Sequence, residues 1–241
     1  MSRDQGVIIA KRSVSLSKTY PIIGVALTFL GLLISSLSGV ISEASPKGLP
    51  PSANATVTAA ISNGLPFLAV PLQALAALLF ATPVLLLFVY DKNNGVLEYL
   101  LSLGMNQRDV YRQYLKASLM LAVGIVSFDV IVDTAAGLIQ RTVGFMLEIS
   151  GLVVVIALSA VSFGSLLMMS FSSLQKQRVG SNQPLGMAIG VFVVLPSYLL
   201  PFVVPSIAFW VDLLLAGVIV GLSLLVYSLA GRFISREKLL P

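Results

Sequence analysis

No charged residue stands between Thr19 and Ser42, or between Gly48 and Tyr90. A helix crosses the hydrocarbon of a bilayer with about 20 apolar residues, so runs of this length bind the chain to one environment. A water-soluble core could not hide them. With 57% hydrophobic residues, 10% charged residues and a mean hydropathy of +0.97, the chain has the composition of an all-α integral membrane protein.

The apolar runs divide into six expected transmembrane helices at about 20–42, 66–90, 114–138, 146–172, 184–196 and 208–231, forming a single membrane domain over 1–241. Pro71 and Pro83 fall in the second span, where neighbouring helices can tolerate a kink. Pro196, Pro201 and Pro205 interrupt the run after the fifth span, which predicts a broken or re-entrant element before the sixth. A Pro/Ser/Ala loop after span 1 carries a glycosylation sequon, Asn54-Ala55-Thr56. A second polar loop spans 173–184. Ahead of span 1, residues 2–18 place Asp4, Lys11 and Lys18 opposite Ile9, Leu16 and Tyr20 on a helical wheel, although Val7 and Val14 sit on the charged side. This stretch reads as an amphipathic helix lying along the membrane, with a cytosolic tail as the alternative. No cleavable signal peptide is expected, because the first apolar run is long enough to span and lacks an obvious cleavage site.

The basic residues orient the chain. With the N-terminus inside, thirteen of the fifteen Lys and Arg residues fall on inner segments, and only Lys47 and Arg141 fall outside. By the positive-inside rule both termini are cytosolic. The net charge of +5 is therefore read as a topology signal rather than a nucleic-acid footprint. The chain has no Cys and no His, which removes thiol and iron–sulfur chemistry, His-dependent zinc hydrolysis and haem ligation by His. No GxxxxGK[ST] loop is present, so ATP, if used, must bind another chain.

The long charged island at 90–116 interrupts this apolar background. It reads as two short helices. Asn93 or Asn94 is a candidate N-cap, and Gly104 a candidate left-handed terminator. Between them Val96, Leu97, Leu100, Leu101 and Leu103 share one side, with Glu98 and Ser102 on the other. Such a helix is too short to be stable alone and is suited to docking in a groove on a partner.

Asp91, Gly95, Leu97, Glu98, Leu100 and Leu101, followed by Gly104, Arg108, Asp109 and Lys116, resemble the signature segment of ABC-2-type transporter permeases. Val96 stands where Thr is usual, and Gly104 near the usual Pro. The position of the segment between spans 2 and 3 of six, the amphipathic stretch before span 1 and the broken element between spans 5 and 6 also fit that family. The resemblance implies a permease subunit in the cell membrane that is not itself an enzyme. It would pair with a second copy or a homologous permease and bind separate ABC ATPase subunits, which would hold the ATP and Mg. No cofactor would be bound by this chain. The segment Gly95, Val96, Leu97, Glu98, Leu100, Leu101 and Gly104 would be the coupling helix, with Leu97, Leu100 and Leu101 docked in the ATPase.

Other residues suggest a pathway. Asp129 and Asp133 share one face of span 3, Asp212 starts span 6 from the same side, and carboxylates within spans usually face an interior or a cavity. A cation-attracting outer vestibule and solvated helix-end acids are both compatible with them. Gln73 is a candidate interhelical hydrogen-bonding group. Gly186/Gly190 and Gly217/Gly221 have the spacing that permits close helix approach, and Trp210 and Tyr198 read as interface anchors. Arg108, Arg112 and Lys116 read as topology and headgroup residues. The function expected is ATP-driven export of an apolar or amphipathic substrate. Export of haem, polysaccharide or immunity-related peptide is the alternative within transport. A membrane scaffold or assembly factor is the alternative outside it. Membrane lipids are expected neighbours and nucleic acid is not.

Overall fold

The structure is a computed structural model that describes residues 5–43, 69–140 and 143–174, together with 210, 213–214, 217–222, 224–225 and 228. The described elements are helices, and contiguous ones run in the order α1 (Gln5–Leu16), α2 (Thr19–Glu43), α3 (Ala69–Asn93), α4 (Val96–Ser102), α5 (Gln107–Gln140) and α6 (Val143–Leu174). Among the described residues, three helical stretches are long and apolar enough to cross a membrane: Ala69–Asn93, Gln107–Ile139 and Met146–Met169. The pair Gly6–Leu16 and Thr19–Ile34 also qualifies when taken together, but it bends by 90°. The chain is a multi-pass helical membrane protein. The loop at 173–184 apart from its first two residues, the fifth span with Pro196, Pro201 and Pro205, Tyr198, Gly186/Gly190, Arg141, Asn54 and Asp212 lie outside the described residues.

Helix α3 is the axis of the bundle, packed against α1, α2, α4, α5 and α6. Its alanines explain why. Hydrocarbon gives apolar helices little reason to associate, so packing depends on close backbone approach. Val70, Ala74, Ala77 and Ala81 of α3 are buried against Ala122, Ile125 and Val126 of α5 and against Ile149, Val153, Ile156 and Ala160 of α6. Pro83 does not end α3. It leaves the Leu79 carbonyl without its usual amide donor, while the Thr82 hydroxyl donates separately to the Leu78 carbonyl at 2.8 Å.

The small-residue seam falls on α2. Gly24, Thr28 and Gly31 are buried, while Ile22, Ile23, Phe29, Leu30 and Leu33 point outward. A Cβ on Gly24 would come within 2.9 Å of Phe80 Cδ2 and 3.1 Å of the Ala76 carbonyl oxygen, and one on Gly31 within 3.3 Å of Gln73 Cγ. By contrast, Gly217 and Gly221 have no neighbour within 4 Å. Among the described residues, the close approach between helices is at Gly24 and Gly31.

Helix α5 has 34 residues and is roughly 50 Å long at 1.5 Å per residue, well beyond the hydrocarbon core. The second short helix expected in the charged island is therefore not a separate element. Once Gln107 begins a turn, nothing breaks the helix before Gln140, so Arg108, Arg112 and Lys116 ride on the protruding start of the span.

Candidate functional site

The basic end of the bundle is built by two left-handed glycines. Gly95 (φ 71°) closes α3 and opens α4, its amide donating to the Lys92 carbonyl and its carbonyl accepting from Tyr99. Gly104 (φ 83°) closes α4, donating to the Leu101 carbonyl while Met105 donates to that of Leu100. That paired pattern is the Schellman motif, which satisfies the free carbonyls of a helix end and tolerates a positive φ because glycine has no Cβ. Gly104 terminates the helix as expected. The expected Asn N-cap is corrected: α4 has no side-chain cap, and the Asn94 amide group donates back to the Tyr90 carbonyl at the end of α3. An Asn-Asn-Gly run serves a C-terminus as readily as an N-terminus, and the positive φ of Gly95 decides between them.

The wheel separates Leu97, Leu100 and Leu101 from Glu98 and Ser102 correctly, but Leu103, placed with the leucines, is the C-cap and faces outward, and the uses of the faces differ from expectation. Leu97 is fully buried, and Leu100 and Leu101 are half-buried, all against Val84, Phe88, Val110 and Tyr114 of the same chain. The leucine face expected to dock in a partner is thus turned onto the bundle. A seven-residue helix cannot hold itself in water, and the nearest apolar surface is its own. Glu98, Tyr99, Ser102 and Leu103 face outward, Tyr99 and Leu103 by 64% and 63%. Phe88 ties the layer together, with ring centroids 5.3 Å from Tyr111 and 5.1 Å from Tyr114.

Beside this helix lies an ion pair. Arg12 of α1 contacts Asp91 at the end of α3, Nη2 to Oδ1 at 3.0 Å and Nη1 donating to Oδ2 at 3.3 Å. The Tyr114 hydroxyl donates to the same Oδ2 at 2.6 Å. Asp91 is buried and Arg12 nearly half-exposed, so the pair closes one wall of an open cavity of about 310 Å³ between α1, α4 and α5, otherwise lined by Ile8, Leu100, Met105 and Gln113. Asp91 entered the sequence reading only as a motif position. Arg12 lies 79 residues away, and no local pattern announces the pairing. Removing Arg12 would leave a buried carboxylate held by Tyr114 alone. We expect Arg12→Ala to cost about 1–3 kcal/mol, the loss being limited by the guanidinium's exposure. Chemical unfolding of the purified protein checks this, and Arg12→Lys should recover part of the loss.

The other candidate residues lie at the opposite end. Asp129 and Asp133 are both buried, and Gln73 of α3 donates through Nε2 to Asp133 Oδ2 at 3.1 Å and Oδ1 at 3.3 Å. The interhelical hydrogen bond expected of Gln73 is present. Thr28 of α2 lies beside Asp129 without meeting strict hydrogen-bond geometry. Asp212, placed with them by sequence, falls outside the described residues.

These helices, with two polar clusters at opposite ends of one bundle, define a polytopic membrane protein. Comparison with family models, with curated proteins and with solved structures finds no match.

Proposed function

We propose that the chain is the permease subunit of an ABC transporter of the ABC-2 type, exporting an apolar or amphipathic substrate with energy from a separate ATPase chain. The termini and α4 would face the cytosol, a second permease copy or homologue would complete the pathway, and ATP and Mg would stay on the ATPase. The observation that carries this reading is the mounting of α4. It is a short helix between two spans, bracketed by left-handed glycines and anchored through Leu97, so it cannot move without α3 and α5. A partner can shift a conformational equilibrium only through contacts that differ between states, and a rigidly seated helix transmits such contacts to the spans. The contact edge in this reading is Glu98, Tyr99, Ser102 and Leu103, with Leu97, Leu100 and Leu101 as the anchor beneath it.

A pull-down from native membranes in mild detergent, with ATP hydrolysis assayed in the eluate, tests the proposal. Wild type should bring down a nucleotide-binding subunit. The triple variant Glu98→Arg/Tyr99→Asp/Leu103→Asp should lose the co-purified ATPase by about tenfold or more, equivalent to about 1.4 kcal/mol of binding, while melting at the wild-type temperature. No ATPase with wild type would sink the reading and turn attention to a membrane scaffold.

A further inference from the structure

We propose that the junction of α2, α3 and α5 holds a hard metal cation between the carboxylates of Asp129 and Asp133, with the Thr28 hydroxyl and the Gln73 side-chain carbonyl as further oxygen ligands. The site stands on its own geometry and does not depend on an ATPase partner.

The argument starts from unanswered polar atoms. Thr28 and Gln73 are each wholly buried, and Thr28 Oγ1 and Gln73 Oε1 have no hydrogen-bond partner. Both oxygens of Asp129 are in the same condition. Buried polar atoms are nearly always paired, and within hydrocarbon no water compensates them. Four orphans in one neighbourhood therefore call for a shared explanation. They are together: Asp129 and Asp133 are one helical turn apart on one face of α5, Gln73 touches Asp133, and Thr28 lies beside Asp129.

All four orphans are oxygens able to accept or ligate. The site's donors are the Gln73 amide group, already spent on Asp133, and the Thr28 hydroxyl beside Asp129. No Lys or Arg occurs in α2 or α6, α3 has one only at its far end, and the nearest on α5 is Lys116, thirteen residues or roughly 20 Å along the axis from Asp129. Among the described residues, the two carboxylates thus share an apolar interior without a counter-charge. The Thr28 hydroxyl turned toward Asp129 would answer that pair but leave Gln73 Oε1 orphaned and both carboxylates uncompensated, whereas a cation answers all of them. Carboxylate, amide and hydroxyl oxygens without nitrogen or sulfur suit alkali and alkaline-earth ions rather than zinc or copper.

The test uses the full chain purified in detergent, melted in sodium, lithium, calcium or magnesium chloride against choline chloride at equal ionic strength. At about 100-fold excess over the dissociation constant, one of these ions should raise Tm by roughly 5 °C. The gain should vanish in Asp129→Asn and in Thr28→Val. Asp129→Asn should remain folded and melt at or above wild type in choline, because it removes an uncompensated buried charge. Radiolabelled sodium or calcium should bind wild type and be lost in Asp129→Asn. The proposal is overturned if no ion shifts wild-type Tm, or if the shift persists in Asp129→Asn. It is equally overturned if acidification alone stabilises the protein, which would assign a proton to the site.

Discussion

Leu97→Asp is expected to release α4 from the bundle and to be among the most damaging single substitutions in the chain. Leu97 is wholly enclosed by α3, α5 and its own helix. Emptying such a seat costs about 2–5 kcal/mol in lost packing, and placing a carboxylate there adds the desolvation of an unpaired charge. Tyr99→Asp, one turn face away and 64% exposed, is expected to change stability by no more than about 0.5 kcal/mol. Unfolding of the two variants in a denaturing detergent series measures the difference. Limited trypsin cleavage at Arg108 should accelerate only in Leu97→Asp. Equal stabilities would mean that α4 is not seated as the structure places it. The contrast also bears on function, because loss of a partner from the Leu97 variant would report a broken helix rather than a broken interface.

Gly24→Leu is expected to unseat α2. Even the first carbon of a side chain meets the Ala76 carbonyl oxygen at 3.1 Å, and that atom belongs to the backbone of α3. The Phe80 ring can swing aside, but the carbonyl cannot move without its helix. Overpacking of this kind costs about 1–3 kcal/mol for small additions and more for larger ones. The core formed by α3, α5 and α6 contains no α2 residue and should survive. Since the chain has no cysteine, Thr28→Cys supplies a labelling site without background. Maleimide should react slowly with it in the parent and readily when Gly24→Leu is added. Protection in both would show that α2 tolerates the bulk.

Several elements were legible in the sequence because their causes are local. The apolar runs gave α2, α3, α5 and α6 within a few residues at most ends, and Gly104 announced the end of α4. The exposure of Glu98 and Ser102 followed from helical periodicity alone. The errors share one origin. The wheel separates the leucine face of α4 from its polar face, but whether leucine meets a partner or its own bundle depends on what stands nearby. The close approach at Gly24 and Gly31 lies outside the four-residue spacing of small residues, so that spacing did not point to it. The cavity beside Arg12 has walls from four helices and no signature in any one of them.

By itself, then, the sequence determined that this chain enters a membrane, roughly where its described helices run and which segments carry the charge, because apolar length and charge are properties of contiguous residues. The tertiary structure decided the pairings. Asp91 is held by a residue 79 positions away and Asp133 by one 60 positions away. Asp129, on the same face as Asp133, has the Thr28 hydroxyl beside it without a bond of strict geometry. Such outcomes depend on how close two helix axes pass and at what height, and that is fixed by the alanines of α3 and the glycines of α2 acting together.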